Sequence, residues 1–220
     1  MPTLVKVFLL IFFNGLVLIY GCLSCSSKSI STAKTPNLES PGMVLDASIY
    51  KKVDFIDNSS EKIPYLSLTV FFDSVRSLRA QLESKEKLTL LNRGEAHITL
   101  LTPSEWLQVT KFVPAKLVTE LAFLNRVQDI PFQAVCIGRG IKIENQKSLS
   151  TYFIVVDSPK LTEFRRSIQS VYVARGGQMV DFDPDNFQPH ITIGFSVRDL
   201  HSQDGVVKTK ASCIRQIQIQ

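Results

Sequence analysis

Two of the three histidines in this 220-residue chain stand in the same frame, "EAHITLLTP" at residues 95–103 and "QPHITIGFS" at residues 188–196. Each frame is His-Ile-Thr followed by an aliphatic residue. Along a β-strand, residues i and i+2 point to one face. His97 and Thr99 would therefore share a face, with Ile98 and Leu100 on the other. His190 and Thr192 repeat the arrangement opposite Ile191 and Ile193. Each motif buries its aliphatic residues and presents an imidazole beside a hydroxyl.

An imidazole titrates near neutral pH, so one of a pair can take a proton while the other gives one. Two hydroxyls can donate hydrogen bonds to the non-bridging oxygens of a phosphate held between them. This constellation requires no metal and no cofactor. Its natural substrate is a phosphodiester whose leaving alkoxide must be protonated, and the five-membered 2′,3′-cyclic phosphate of ribose is the obvious case. A zinc site is the competing chemistry, but the chain lacks closely spaced ligands such as His-x-x-x-His. His201 stands in no such frame and reads as a surface residue.

The elements that must carry these motifs occur in a repeated order. Residues 65–72, "YLSLTVFF", read as a strand, and "DSVRSLRAQLESKE" follows as a helix with Asp73 as its N-cap. A turn at Asn92-Arg93-Gly94 leads into the strand through His97, and residues 114–127 have helical periodicity behind a proline. Residues 131–145 read as strand, glycine-containing bend, strand. In the second half, residues 151–158 read as a strand and residues 159–174 as a helix with Leu161, Phe164, Ile168 and Val171 on one face. A turn and the His190 strand follow, and a last strand carries Ile214, Ile217 and Ile219. The recurrence of strand, helix, turn and His-Ile-Thr strand predicts a duplicated α+β half-domain. If the halves pack about a pseudo-twofold axis, both imidazoles and both hydroxyls meet at one cleft.

The pattern "NRGEAHITLLTPSEW … FQAVCIGRGI … TYFIVVDSP … FDPDNFQPHITIGFSVRDLH" resembles the 2H phosphoesterase superfamily, and within it the Swiss Army Knife branch linked in name to RNA repair. The resemblance covers about residues 63–215. It implies a bilobal α+β fold with antiparallel sheets and the active cleft between the lobes. It implies His97 and His190 as acid and base and Thr99 and Thr192 as phosphate ligands. By analogy with the family, His190 is the base for water and His97 the acid for the leaving ribose oxygen, with the reverse order left open. Hydrolysis of a 2′,3′-cyclic phosphate or related RNA or nucleotide phosphodiester is the activity implied. A non-catalytic nucleotide- or RNA-binding module, or ligation by the reverse reaction, would use the same cleft. The protein is expected to act as a monomer without a cofactor.

Two further substrate contacts are open. Arg139, in Gly138-Arg139-Gly140, could meet phosphate or base, or the segment could be a plain bend. Tyr152 could stack on a nucleobase or sit in the core. Trp106 reads as packing, and Asp181, Asp183 and Asp185 read as turn and helix-cap residues, because the glycine and distal glutamate of a calcium loop are missing.

The N-terminus follows another plan. "MPTLVKVFLLIFFNGLVLIYGC" has a basic start, an apolar middle and small residues at its end, the layout of a signal peptide over residues 1–21. "IYGC" resembles a bacterial lipobox, which would make Cys22 the lipidated mature N-terminus. An ordinary cleaved signal and an uncleaved anchor are the alternatives. Residues 22–44 are rich in Ser, Thr, Lys and Pro and read as a flexible linker, with the folded domain over residues 45–220. An exported protein on a membrane tether, anchored by lipid or by an apolar segment, is the expectation. Cys136 and Cys213 could pair or remain two buried thiols. A composition of 45% hydrophobic and 20% charged residues is ample for one core. The net charge of +5 is scattered in pairs such as Lys51-Lys52 and Arg165-Arg166 rather than run together as a nucleic-acid footprint.

Overall fold

The computed structural model describes residues 42–220. The segments expected to be a signal peptide and a lipobox with Cys22, and most of the expected linker, lie outside the described residues. The strands are β1 (Met43–Leu45), β2 (Leu66–Thr69), β3 (His97–Leu101), β4 (Gln133–Glu144), β5 (Lys147–Asp157), β6 (His190–Phe195) and β7 (Cys213–Ile219). The helices are α1 (Phe72–Glu86), α2 (Pro103–Thr110), α3 (Ala115–Leu124) and α4 (Pro159–Ala174). The class is α+β. The strands form one sheet in the order β1-β7-β4-β5-β6-β3-β2, antiparallel throughout except for the parallel pair of β1 and β7. Among the described residues, no helix is long and apolar enough to cross a membrane.

The sequence repeat is visible as topology. In β2-α1-β3 the two strands are antiparallel neighbours joined by a helix, and β5-α4-β6 has the same plan. β3 and β6 pair antiparallel at the middle of the sheet, where Ile98 lies opposite Ile191. A pseudo-twofold axis through that pair exchanges β2 with β5 and α1 with α4. The two halves thus share one continuous sheet, and the motif strands stand side by side. Backbone pairing of the two motif strands explains the arrangement: each satisfies hydrogen-bonding groups of the other that would otherwise lie at an edge.

The helices cover one face. Val75, Leu78 and Leu82 of α1 recur at helical spacing and are fully buried. Leu161, Phe164 and Ile168 of α4 join them in a single core with Ile98, Leu100, Ile191 and Ile193. Burying each such side chain contributes about 1.5–3 kcal/mol. The aliphatic side of both motif strands is therefore fixed inward, which leaves the histidine side on the uncovered face.

Four local readings differ from the structure. Met43 and Val44, placed in the linker by composition, form β1 with Leu45 and pair with Ile217 and Gln218 of β7, so the fold begins slightly earlier. The N-cap of α1 is Phe71, because the chain turns into the helix directly after β2; Asp73 lies in the first turn and pairs with Arg76 at 3.0 Å. Residues 138–140 are no bend but the middle of the unbroken β4. Their glycines make space, since a Cβ on Gly138 would lie 2.4 Å from the Phe153 ring and one on Gly140 2.3 Å from Val206. Finally, α2 has no counterpart in the sequence reading. It is capped by Thr102, which accepts from the Glu105 amide at 3.3 Å while Glu105 accepts from the Thr102 amide at 2.8 Å.

Trp106 is buried in the core, as expected. The three aspartates serve the turn before β6. Asp183 accepts from the Asp185 amide, Asp185 pairs with Arg166, and Asp181 accepts from Gln108. Arg165, 1% exposed, ties this turn to the end of β3 through the carbonyls of Leu100, Asp183 and Pro184 and the carboxylate of Glu105. Such a buried guanidinium is tolerated because every partner is an acceptor. Cys136 of β4 and Cys213 of β7 form a disulfide, which closes the question their burial left open.

Candidate active site

In an antiparallel pair, opposing residues share a face. With Ile98 opposite Ile191, one step along each strand sets His97 opposite Thr192 and Thr99 opposite His190. The four motif residues make a two-by-two array on the face away from α1 and α4. The histidines occupy one diagonal of the array, a backbone separation of roughly 7–8 Å. Both imidazoles can reach a single phosphate from there. All four side chains are half-buried, open enough to meet a ligand and enclosed enough to be positioned.

His97 begins β3, and the loop before it is pinned to β6. Leu91 exchanges two backbone hydrogen bonds with Phe195, and Asn92 donates to the carbonyl of Ile193 at 2.9 Å. Asn92 also accepts from the amide of Gly94, whose φ of +79° favours glycine. That loop places Glu95 Oε1 3.5 Å from His97 Nδ1. The Tyr65 ring packs against the imidazole with centroids 5.3 Å apart. Burial pushes the proton affinity of His97 below its usual value, partly opposed by the Glu95 carboxylate.

His190 is held differently. Its Nδ1 lies 2.7 Å from the Gln188 carbonyl oxygen, so Nδ1 carries the proton and donates. Nε2 is then a lone-pair acceptor, and the Lys208 ammonium donates to it at 3.1 Å. Phe153, opposite Thr192 on β5, presents its ring edge-on to the imidazole at 5.9 Å. Burial first, and the Lys208 charge second, bring the pKa of His190 down to about 3. The two imidazoles thus differ in kind, one beside a carboxylate and one beside an ammonium.

Sequence reasoning missed the charged residues behind β6. Asp199 and Lys208 are both buried and lie 3.3 Å apart. Asp199 accepts from the Thr192 hydroxyl at 3.3 Å, and Arg93 approaches the same carboxylate at 3.8 Å. Burial opposes the charge of Asp199, but Lys208 and the neighbouring imidazoles outweigh it and its pKa falls below the usual value. The adjoining Leu200 amide donates to the buried Thr151 hydroxyl at 2.8 Å, which fixes this segment against β5. His201 is half-buried next to Asp199 rather than at the open surface, and burial lowers its proton affinity. Polarity hid these residues, because a lone Asp or Lys in a loop carries no spacing signal.

The remaining sequence candidates separate from the array. Tyr152 is 3% exposed and belongs to the core on the helix-covered face, so it has no surface on which a base could stack. Its neighbour Phe153 takes the site face instead. Arg139 pairs with Tyr152 across β4 and β5 and shares that opposite face, so it does not reach the histidines. Among the described residues, no group of three or more His, Cys, Asp or Glu is arranged to hold a metal ion. A pocket of about 370 Å³ lies beside the start of β6, lined in part by Asp157, Gln188, Lys208, Thr209 and Lys210. Lys208 lines the pocket and touches the array at His190.

Residues 65–201 match the family model described as "Swiss Army Knife, 2H phosphoesterase domain", a span of more than half the chain that includes both motifs. Searches of curated proteins and of solved structures found no match.

Proposed function

As this chain belongs to the Swiss Army Knife family of 2H phosphoesterase domains, we propose that it hydrolyses a 2′,3′-cyclic phosphate at a nucleotide or RNA end by metal-independent acid–base catalysis. Phosphodiester chemistry follows from the family; the substrate and the roles below are the proposal. The observation that carries it is the register of β3 and β6, which sets each motif histidine opposite the other motif's threonine on one open face.

In this reading, the hydroxyl of Thr99 donates to one non-bridging oxygen of the phosphate, and that of Thr192 turns from Asp199 to donate to the other. Nε2 of His190 takes a proton from water as the water oxygen bonds to phosphorus. The bond from phosphorus to one ribose oxygen breaks, and His97 gives that oxygen a proton. The product is a nucleoside or RNA-end monophosphate with one free ribose hydroxyl. The two pKa environments support these assignments. The base must be unprotonated, which suits His190 under its ammonium; burial lowers the proton affinity of both imidazoles, and Glu95 favours the proton on His97, which makes His97 the better acid of the two. Replacing either histidine by alanine is expected to lower the rate of cyclic-nucleotide opening by about 10²–10⁴. Wild-type rates in both variants would remove the array from the reaction.

Export on a lipid tether belongs to the same proposal. It is supported by the "IYGC" stretch and by the disulfide, a bond that persists in oxidising compartments. Expressed in a bacterium that processes lipoproteins, the chain should fractionate with membranes, and Cys22→Ala should abolish acylation. A soluble mature protein beginning after Cys22 would support an ordinary signal peptide instead.

A further inference from the structure

The residue that the reaction above leaves unused is Lys208. It lies beyond the matched family span and outside both motifs, 18 residues after His190. We propose that Lys208 is a phosphate-contacting residue, whose ammonium leaves His190 Nε2 for a non-bridging oxygen of the bound phosphodiester. The proposal rests on the reading of the array as a phosphodiester site and adds the cation that site needs.

Burial is the first observation. Lys208 has 4% of its surface exposed, and a buried ammonium is costly unless its donors are matched. Its three donors have partners, but weak ones. Asp199 Oδ1 stands 3.3 Å away, a long contact for a charge-assisted hydrogen bond, and the same carboxylate is shared with Thr192 and Arg93. The second partner is His190 Nε2 at 3.1 Å, and the third is the face of Phe153 at 5.5 Å. Two of the three partners are uncharged, and an anionic oxygen would be a stronger acceptor than either.

Position is the second observation. Gln188 ties both residues to one point. Its backbone carbonyl accepts from His190 Nδ1, and its side-chain oxygen accepts from the Lys208 amide at 2.7 Å. The backbone of Lys208 is thus fixed relative to the imidazole, while its four-carbon stem leaves the ammonium free to swing a short distance. Nε2 must face water during the reaction, so its contact with Lys208 belongs to the free protein. An arriving phosphate offers the ammonium an anionic oxygen on the same open face as Thr192.

Charge is the third observation. A phosphodiester is an anion, and charge on its oxygens grows as water adds. The motif hydroxyls are neutral donors. A cation already fixed at the site, in surroundings of low polarity, is the arrangement that stabilises such growing charge without reorganisation. Asp199 keeps that cation charged while the site is empty.

The test uses inorganic phosphate and the full chain, so that it does not depend on turnover. Calorimetry would compare the wild-type chain, whose Lys208 is held charged by Asp199, with the double variant Asp199→Asn/Lys208→Met, which leaves no buried charge unpaired. The double variant should bind phosphate about 10–100-fold more weakly than wild type. Equal affinities would overturn the proposal. Should the double variant fail to fold, the wild-type chain provides the answer by nitrogen-15 NMR of the lysine ammonium. Its resonance should move with phosphate saturation, and a stationary resonance at saturation would overturn the proposal. A wild-type protein that binds phosphate through Lys208 but opens no cyclic phosphate would defeat the hydrolase reading and leave Lys208 in place as a phosphate contact.

Discussion

His97 and His190 are chemically distinct although their sequence frames are alike. Their difference arises from neighbours that the frames do not contain, Glu95 on one side and Lys208 on the other. It fixes the sign of the pH dependence. In the proposed mechanism, activity needs His190 neutral and His97 protonated. In the free protein burial and Lys208 bring the pKa of His190 down to about 3, and burial also lowers that of His97. The profile of kcat/KM, which reports the free enzyme, should therefore be a bell on the acid side, rising near pH 3 and falling as pH passes through the lowered His97 value. Glu95→Gln removes the carboxylate that favours the His97 proton, so the falling limb should move to lower pH. A falling limb that stayed in place would separate Glu95 from the acid. At this scale the motif residues were readable because period-2 alternation gives imidazole and hydroxyl one face. Asp199 and Lys208 were not, since their place depends on how the segment after β6 folds back over β5.

The strands position the chemistry more than any loop does. β3 and β6 fix the array by register, and β5 walls it with Phe153. Gly138 on β4 gives that ring its space, which makes a distant glycine a determinant of the site. Gly138→Ala would set a methyl 2.4 Å from the ring, so Phe153 must shift toward His190 and Lys208, the groups its ring contacts. Overpacking of this kind costs about 1–3 kcal/mol. Urea unfolding should show that loss, and kcat should fall together with stability. A variant as stable and as active as wild type would mean that Phe153 has room to relax. The same glycine shows why the sequence misled. Gly-Arg-Gly between two strands suggests a bend, yet the glycines answer to side chains arriving from β5 and from Val206, which lie far off along the chain. Tyr152 was the aromatic candidate, and only strand parity in the folded sheet puts it in the core and its neighbour Phe153 at the site. The capping box of α2, by contrast, was written plainly as Thr-Pro-Ser-Glu and needed only the capping rule to find it.

As a whole, the molecule is two half-domains that make one site because they make one sheet. Neither motif strand could supply an acid, a base and two hydroxyls alone; the pseudo-twofold pairing of β3 with β6 assembles all four. The duplicated order of elements foretold that the two motifs would meet, whereas the pairing of β3 with β6 and the merging of both halves into a single seven-stranded sheet became visible only in the structure. The chain segment that carries Lys208 runs on into β7, which pairs with β1 and β4 and is cross-linked to β4 by the disulfide from Cys213 to Cys136. The central claim is that these two paired motifs hydrolyse a cyclic phosphate with protons alone. Its most direct test is turnover of a 2′,3′-cyclic mononucleotide by the full chain in the presence of EDTA, with His97→Ala and His190→Ala in parallel. The account predicts an unchanged wild-type rate under EDTA and a loss of about 10²–10⁴ in each variant. Activity abolished by EDTA and restored by zinc would contradict it.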